Sequence, residues 1–296
     1  MPEPEATHAV ITRLWLEVAR EQQRATRAGA LAAHYEKLAV HDLASLRGLR
    51  ERMAALHRRT EQRHRTSAEL QAFHAEKLRS WLDAPSGAGG RPVFAAALRA
   101  ALGNASILVT LLDDQNQVAL STTSGHDALV ARDAEFVAGE GPATDAGISG
   151  GTVTAVDDML TTRWPHYAPA VRRAGVRAVL AVPLQQPITC VGALCILERK
   201  PVIADTLAMA TDRVADALAR TVLLPSPQAP EVSDPLRLFT ETSYQDVVHQ
   251  AAGMLSVRHG CSPDDAIALL RARAFADGTF IEELARREVR DGTGLD

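Results

Sequence analysis

Residues 243–291, SYQDVVHQAAGMLSVRHGCSPDDAIALLRARAFADGTFIEELARREVRD, constrain the chain most, because they carry their own helix start and stop signals. Val247, Val248, Ala251, Met254 and Leu255 recur at steps of three and four, which puts them on one face of a first helix. Gly260 and Cys261 break that pattern. Ser262 then reopens it as an N-cap, with Pro263 at the first helical position and a carboxylate, Asp265, three residues on. Ala266, Leu269, Leu270, Arg273 and Ala274 carry this second helix as far as Asp277-Gly278. Thr279 with Glu282 reads as another capping box, followed by Ile281, Leu284, Ala285 and Val289. The expectation is a small three-helix unit with short turns.

Charge does not say what this unit binds. Six arginines and seven acids lie between residues 243 and 290, a net charge of −1, and the whole chain stands at −4. Any nucleic-acid site must therefore be local. The acids gather at helix starts and the arginines towards helix ends, as the macrodipole favours.

Upstream, 296 residues allow about two domains. Residues 106–112 and 118–123 read as strands joined by the polar turn DDQNQ. Residues 178–183 and 190–197 read as two more, joined across Gln185-Gln186-Pro187. The run 178–197 holds twenty uncharged residues, but prolines and glutamines interrupt it, so two strands are expected rather than a membrane span. Helices are expected over 92–102, 128–137, 167–174 and 204–223, with a strand at 152–156. The glycine-rich stretch 139–151 reads as a loop able to cover a ligand.

Acidic pairs at Asp113-Asp114 and Asp157-Asp158, with Lys200-Pro201, imitate a phosphorylatable receiver. A receiver needs parallel strands, however, and parallel neighbours need crossovers of a dozen or more residues. The connections here are too short, so an antiparallel sheet is expected and the acids belong to turns. Cys190 and Cys195 lie five apart on one strand, project to opposite faces and cannot pair. No Walker loop, HExxH or serine elbow occurs, and no enzyme activity is expected.

Residues 6–83 contain two glycines and no proline. Leu31, Tyr35, Leu38, Leu43, Leu46, Leu49, Met53 and Leu56 form an imperfect heptad, the mark of a paired helix. Trp15 and Leu16 are candidates to anchor an earlier helix against it. The run HRRTEQRHR at 57–65 is a candidate phosphate patch, but charge runs are commonly solvated faces, and that is the expectation. Residues 1–5 are acidic and no apolar core follows, so no export signal is expected. With three cysteines in no paired spacing, the location expected is the cytoplasm.

Two families are resembled. Gln250-Ala251-x-Gly253-x-Leu255, then Ala266, Leu270-Arg271, Ala274 and Leu284-Ala285, resemble the ANTAR domain, a three-helix RNA-binding module of transcription antiterminators. Ala252 departs from a usual Lys or Gln, and Ser256 from a usual Met. Gly139-Glu140-Gly141-Pro142-x-x-Asp145-Ala146, Val156-Asp157-Asp158, Arg163-Trp164-Pro165, Gly175-Val176-Arg177-Ala178, Val182-Pro183-Leu184 and Gly192-Ala193-Leu194 resemble the GAF sensor domain of actinobacterial GAF–ANTAR proteins. Ala143 stands where relatives often carry Cys, so no thiol sensor operates there.

These resemblances imply a multidomain α+β chain: a helical arm (1–84), a GAF domain with an antiparallel sheet flanked by helices (85–224), a proline-rich linker (225–242) and an ANTAR module (243–296). They imply a dimer, paired through the N-terminal and GAF helices, that senses an unknown small molecule or redox state and binds hairpin loops in nascent mRNA. No cofactor or metal is identified, and no membrane association is expected. Arg271 is an RNA-binding candidate from the family pattern. Gln250, Arg258 and Arg273 are candidates from charge or polarity and helical position. The alternatives are a protein-interaction or DNA-associated regulator without RNA binding and, further off, a GAF-type sulfoxide reductase.

Overall fold

The computed structural model describes residues 4–41, 44–84, 93–223 and 244–292. The chain divides into two compact units, Met1–Asn104 with Met209–Leu238 and Ala105–Ala208 with Phe239–Asp296. The proline-rich linker at 225–242 and the joint at 85–90 lie outside the described residues.

In the first unit, α1 (Pro4–His41) and α2 (Ala44–Leu82) form an antiparallel pair of helices, each roughly 57 Å long. The two helices pair with each other within the chain, and through residues other than the heptad positions. Ala25, Ala28, Ala32 and Ala39 of α1 and Ala54, Ala68 and Ala75 of α2 are buried, while Leu31, Leu46, Leu49 and Leu56 remain 41–47% exposed. The apolar stripe read as one run is cut by the chain reversal between the two helices. Small side chains let the backbones approach, and the leucines are left outside. Trp15 and Leu16 are likewise exposed, and Leu14 takes the inward position beside Leu78.

The run 57–65 is solvated in part, with Arg58, Arg59, Gln62 and Arg65 exposed, and several of its charges are also paired. Arg58 pairs with both carboxylate oxygens of Glu36 at 2.8 Å, Arg63 reaches Asp216 at 2.7 Å, and His64 Nδ1 lies 2.7 Å from Glu21 Oε2. The paired charges go to carboxylates across the helix seams because the alanine interface leaves these longer side chains flanking it. Helix α3 (Phe94–Ala101) packs on α2, where His74 meets the Phe94 ring edge-on at 5.3 Å. Helix α8 (Asp205–Ala217) ends in a π-type turn, Leu218–Val222, that also packs on α2.

The second unit is built on a sheet of β1 (Ser106–Leu112), β2 (Val118–Ser124), β3 (Val153–Val156), β4 (Ala178–Gln185) and β5 (Cys190–Glu198). Its order is β2-β1-β5-β4-β3, and every neighbouring pair is antiparallel. The uncharged run is the β4–β5 hairpin, and among the described residues no helix is long and apolar enough to cross a membrane. The receiver-like acids sit in turns: Asp113 accepts from the N–H groups of Gln115 and Gln117, and Asp157 pairs with Arg177. Cys195 is buried in the core and Cys190 half-buried beside Gly192 O, both thiols free. Strand β5 carries one extra residue between Cys190 and Ala193, so Cys190 pairs opposite Gln185 and Cys195 opposite Ala181. The register puts them on one side of the sheet rather than on the opposite faces their odd spacing predicts. Gly192 has φ +147°, and a Cβ there would lie 1.9 Å from Thr110 O.

The flanking helices are α4 (His126–Ala138), α5 (Pro142–Ser149), α6 (Asp158–Arg163) and α7 (Ala168–Arg173). Residues 139–151 are therefore not a loop. Gly139 ends α4 in a left-handed conformation, Pro142 starts α5 at its first position, and Gly150 ends it, again left-handed. The glycines punctuate a helix whose Ala143 and Ala146 are fully buried in the core with Leu160, Trp164, Tyr167 and Val171.

Helices α9 (Tyr244–His259), α10 (Pro263–Asp277) and α11 (Ile281–Gly292) enclose Val248, Ala251, Ala252, Leu255, Ala266, Leu270, Ala274, Ile281, Leu284 and Ala285. The capping box of α10 forms as expected: Ser262 Oγ accepts from Asp265 N–H at 3.1 Å, and the Asp265 carboxylate accepts from Ser262 N–H at 3.3 Å. The second box does not form. Helix α11 starts at Ile281, two residues beyond Thr279, whose Oγ1 is buried without a hydrogen-bond partner. Glu282 turns to Arg132 and Arg286 instead. Ala252, at 1% exposure, has no room for a long basic side chain.

Candidate nucleic-acid interface

Two of the four arginine and glutamine candidates meet. Glu288, on the last helix and 8% exposed, accepts from Arg273 through Oε1 at 2.8 Å and from Arg258 through Oε2 at 3.1 Å. One carboxylate thus fixes two guanidinium groups from two other helices. Their side chains remain 57% and 47% exposed. With Asp277 3.7 Å from Arg273 Nε, the two cations face two carboxylates, so what the cluster offers is positioned donors rather than excess charge. An arginine held this way loses little further freedom on meeting a phosphate. Glu288 was missed from sequence, since spacings of 15 and 30 residues carry no helical signature.

Arg271 lies elsewhere. Its guanidinium carbon sits 4.4 Å from the centre of the Phe136 ring of α4, a cation–π contact. Gln250 is exposed on α9. The contact at Phe136 belongs to a seam along α4. Arg132 pairs with Glu282 at 2.8 Å, and Phe136 and Val137 pack against the bundle's core. Asp133 Oδ1 accepts from the Ile281 N–H at 2.9 Å, satisfying the first turn of α11 in place of the absent box.

Two residues along α4, Glu135 does the same for α5. Its Oε1 accepts from the Thr144 N–H at 2.6 Å, and the helix it serves begins at Gly141, which has no side chain of its own to offer. A Cβ on Gly141 would meet the Glu135 carboxyl at 2.5 Å, so this position must stay bare. Burial pushes the Glu135 carboxyl up to about 7 against the pull of the Thr144 and Ala143 amides, and its Oε2 is buried without a hydrogen-bond partner. Burial likewise pushes Asp133 up to about 6, opposed by the Ile281 N–H and Arg132 and helped by Glu282. A half-open cavity of about 640 Å³ lies beside these groups, with Thr110, Ser121, Glu135 and Thr144 on the sheet side and His249 and Arg271 on the bundle side. Among the described residues, no group of three His, Cys, Asp or Glu side chains is placed to hold a metal ion.

Comparison with curated proteins finds no match. Among solved structures, the GAF domain region of a Geobacter sulfurreducens PCA protein is similar at 18% identity and a TM-score of 0.29, covering 38% of this chain and 80% of that one. SdiA in complex with octanoyl-rac-glycerol is similar at 13% identity and a TM-score of 0.32, covering 64% and 82%. Both likenesses are loose. At the level of families, residues 238–287 match the ANTAR domain.

Proposed function

We propose that this chain is a signal-responsive, RNA-binding transcription antiterminator. ANTAR domains bind RNA, and the match over 238–287 supports reading the C-terminal three helices as that module. In this reading residues 85–224 form a GAF-type sensor, residues 1–84 an arm that pairs two chains, and 225–242 the linker to the effector at 243–296. The observation that carries RNA binding is the Arg258–Glu288–Arg273 clamp, two exposed guanidinium groups held in place on the matched module. Gln250 and Arg271 complete the proposed RNA surface. The sensor's small-molecule ligand is assigned to the cavity beside Glu135 and Thr144, whose volume suits an organic molecule.

The test is RNA binding against salt concentration for the wild type and for Arg258→Ala with Arg273→Ala. Removing two phosphate contacts should weaken binding and make the log–log salt slope shallower by about 1.5. An unchanged slope in folded protein removes the clamp from the site. Exposed Val257, Leu269 and Phe275 favour a second reading, a regulator that binds protein rather than RNA, and RNA pull-down with sequencing separates the two.

A further inference from the structure

Within little more than one turn, α4 presents three side chains to the C-terminal bundle, and each engages a different part of it. Arg132 pairs with Glu282, and its side chain is 9% exposed. Asp133 accepts the Ile281 N–H, and the Phe136 ring lies under the Arg271 guanidinium. Ile281 is fully buried, and the box that its own sequence offers at Thr279 is unused. The third helix of the bundle therefore depends on α4 for its start. Arg271, meanwhile, has one face of its guanidinium taken up by Phe136.

From these contacts we propose that α4 is a docking seat that holds the bundle in a position closed to RNA, so that α4 and RNA compete for the Arg271 side of the bundle. This rests on the RNA reading above. A guanidinium stacked on Phe136 cannot offer that face to an RNA base, and the body of α4 blocks the approach of a hairpin loop from that side. If the two occupants exclude each other, linkage requires that whatever loosens the seat tightens RNA binding by the same factor. The cavity beside the seam gives a signal molecule a position from which to bias that equilibrium, since its walls come from both partners.

The test uses the full chain. RNAs carrying two hairpins with randomised loops are selected on the Arg132→Glu variant, then titrated against the wild type and the variants. Amide exchange at Ile281 reports the seat independently of RNA. Arg132→Glu and Phe136→Ala should each speed Ile281 exchange and bind the selected RNA about fivefold tighter or more, the lower end of ordinary coupling between sites. Adding Glu282→Arg to Arg132→Glu should restore slow exchange and return affinity towards the wild type. A simple charge effect predicts the opposite, since that substitution makes the bundle more basic.

Fast Ile281 exchange with unchanged RNA affinity would overturn the competition while leaving RNA binding intact. Exchange unchanged in both single variants would overturn the seat. If no RNA is enriched although exchange shows the bundle released, the RNA reading falls and the competition with it.

Discussion

At the scale of single residues, the chemistry concentrates in the carboxylates of α4. Asp133 and Glu135 both titrate higher in the fold than in an open chain. The stability they contribute is fully present below their ordinary values and is lost as pH rises through about 6 for Asp133 and about 7 for Glu135. Glu282 runs the other way: burial raises it, but hydrogen bonds from Arg286 and Arg132 more than offset this, so its contribution is lost as pH falls. The urea midpoint should therefore drop between about pH 4 and 7 and level off above that, and Glu135→Gln should flatten the change. Gly192→Ala should cost about 3 kcal/mol or more in a urea melt, because its Cβ would overlap Thr110 O. Neither carboxylate could be found from sequence. DAEF in a helix reads as surface, and only the fold shows that these acids point at the starts of two other helices.

At the scale of elements, local signals succeeded where the element supplies its own partners. The Ser262 box, Pro263 and the Gly278 stop all sit within α10, and all form. The β4–β5 hairpin follows from a short connection for the same reason. Thr279 failed because its proposed partner Glu282 found a guanidinium on another element, and the 139–151 stretch failed because its glycines bound a short helix. The α1–α2 pair failed in detail because large apolar residues dominate a periodicity reading, whereas small ones dominate close helix packing. A direct comparison follows. Ser262→Ala should lower unfolding stability by about 1 kcal/mol, and Asp133→Ala by a similar amount. Thr279→Ala, removing a hydroxyl with no partner, should change it by no more than a few tenths.

At the scale of the whole molecule, the leucines excluded from the α1–α2 seam are the candidates for pairing two chains. Leu46, Leu49 and Leu56 recur at three and seven residues along α2, each with more than two-fifths of its surface open. Leu49→Glu with Leu56→Glu should convert a dimer to a monomer in sedimentation equilibrium, with helix content unchanged. The order of parts was legible in the sequence, since periodicity changes from helix to strand and back along the chain. The way the C-terminal bundle meets the sheet was not, because the contacts that join them lie about 150 residues apart.

One helix keeps two others properly begun. Asp133 and Glu135 stand two residues apart on α4, so they point to different sides of it and share one rigid axis. Turning α4 to improve its grip on α5 swings Asp133 away from α11, and the reverse holds equally. The helix carries the two carboxylates side by side on one rigid segment, so a displacement of α5 reaches the start of α11 through two hydrogen bonds and the body of α4. Exchange at the Thr144 and Ile281 amides should therefore shift together in any variant that moves α4.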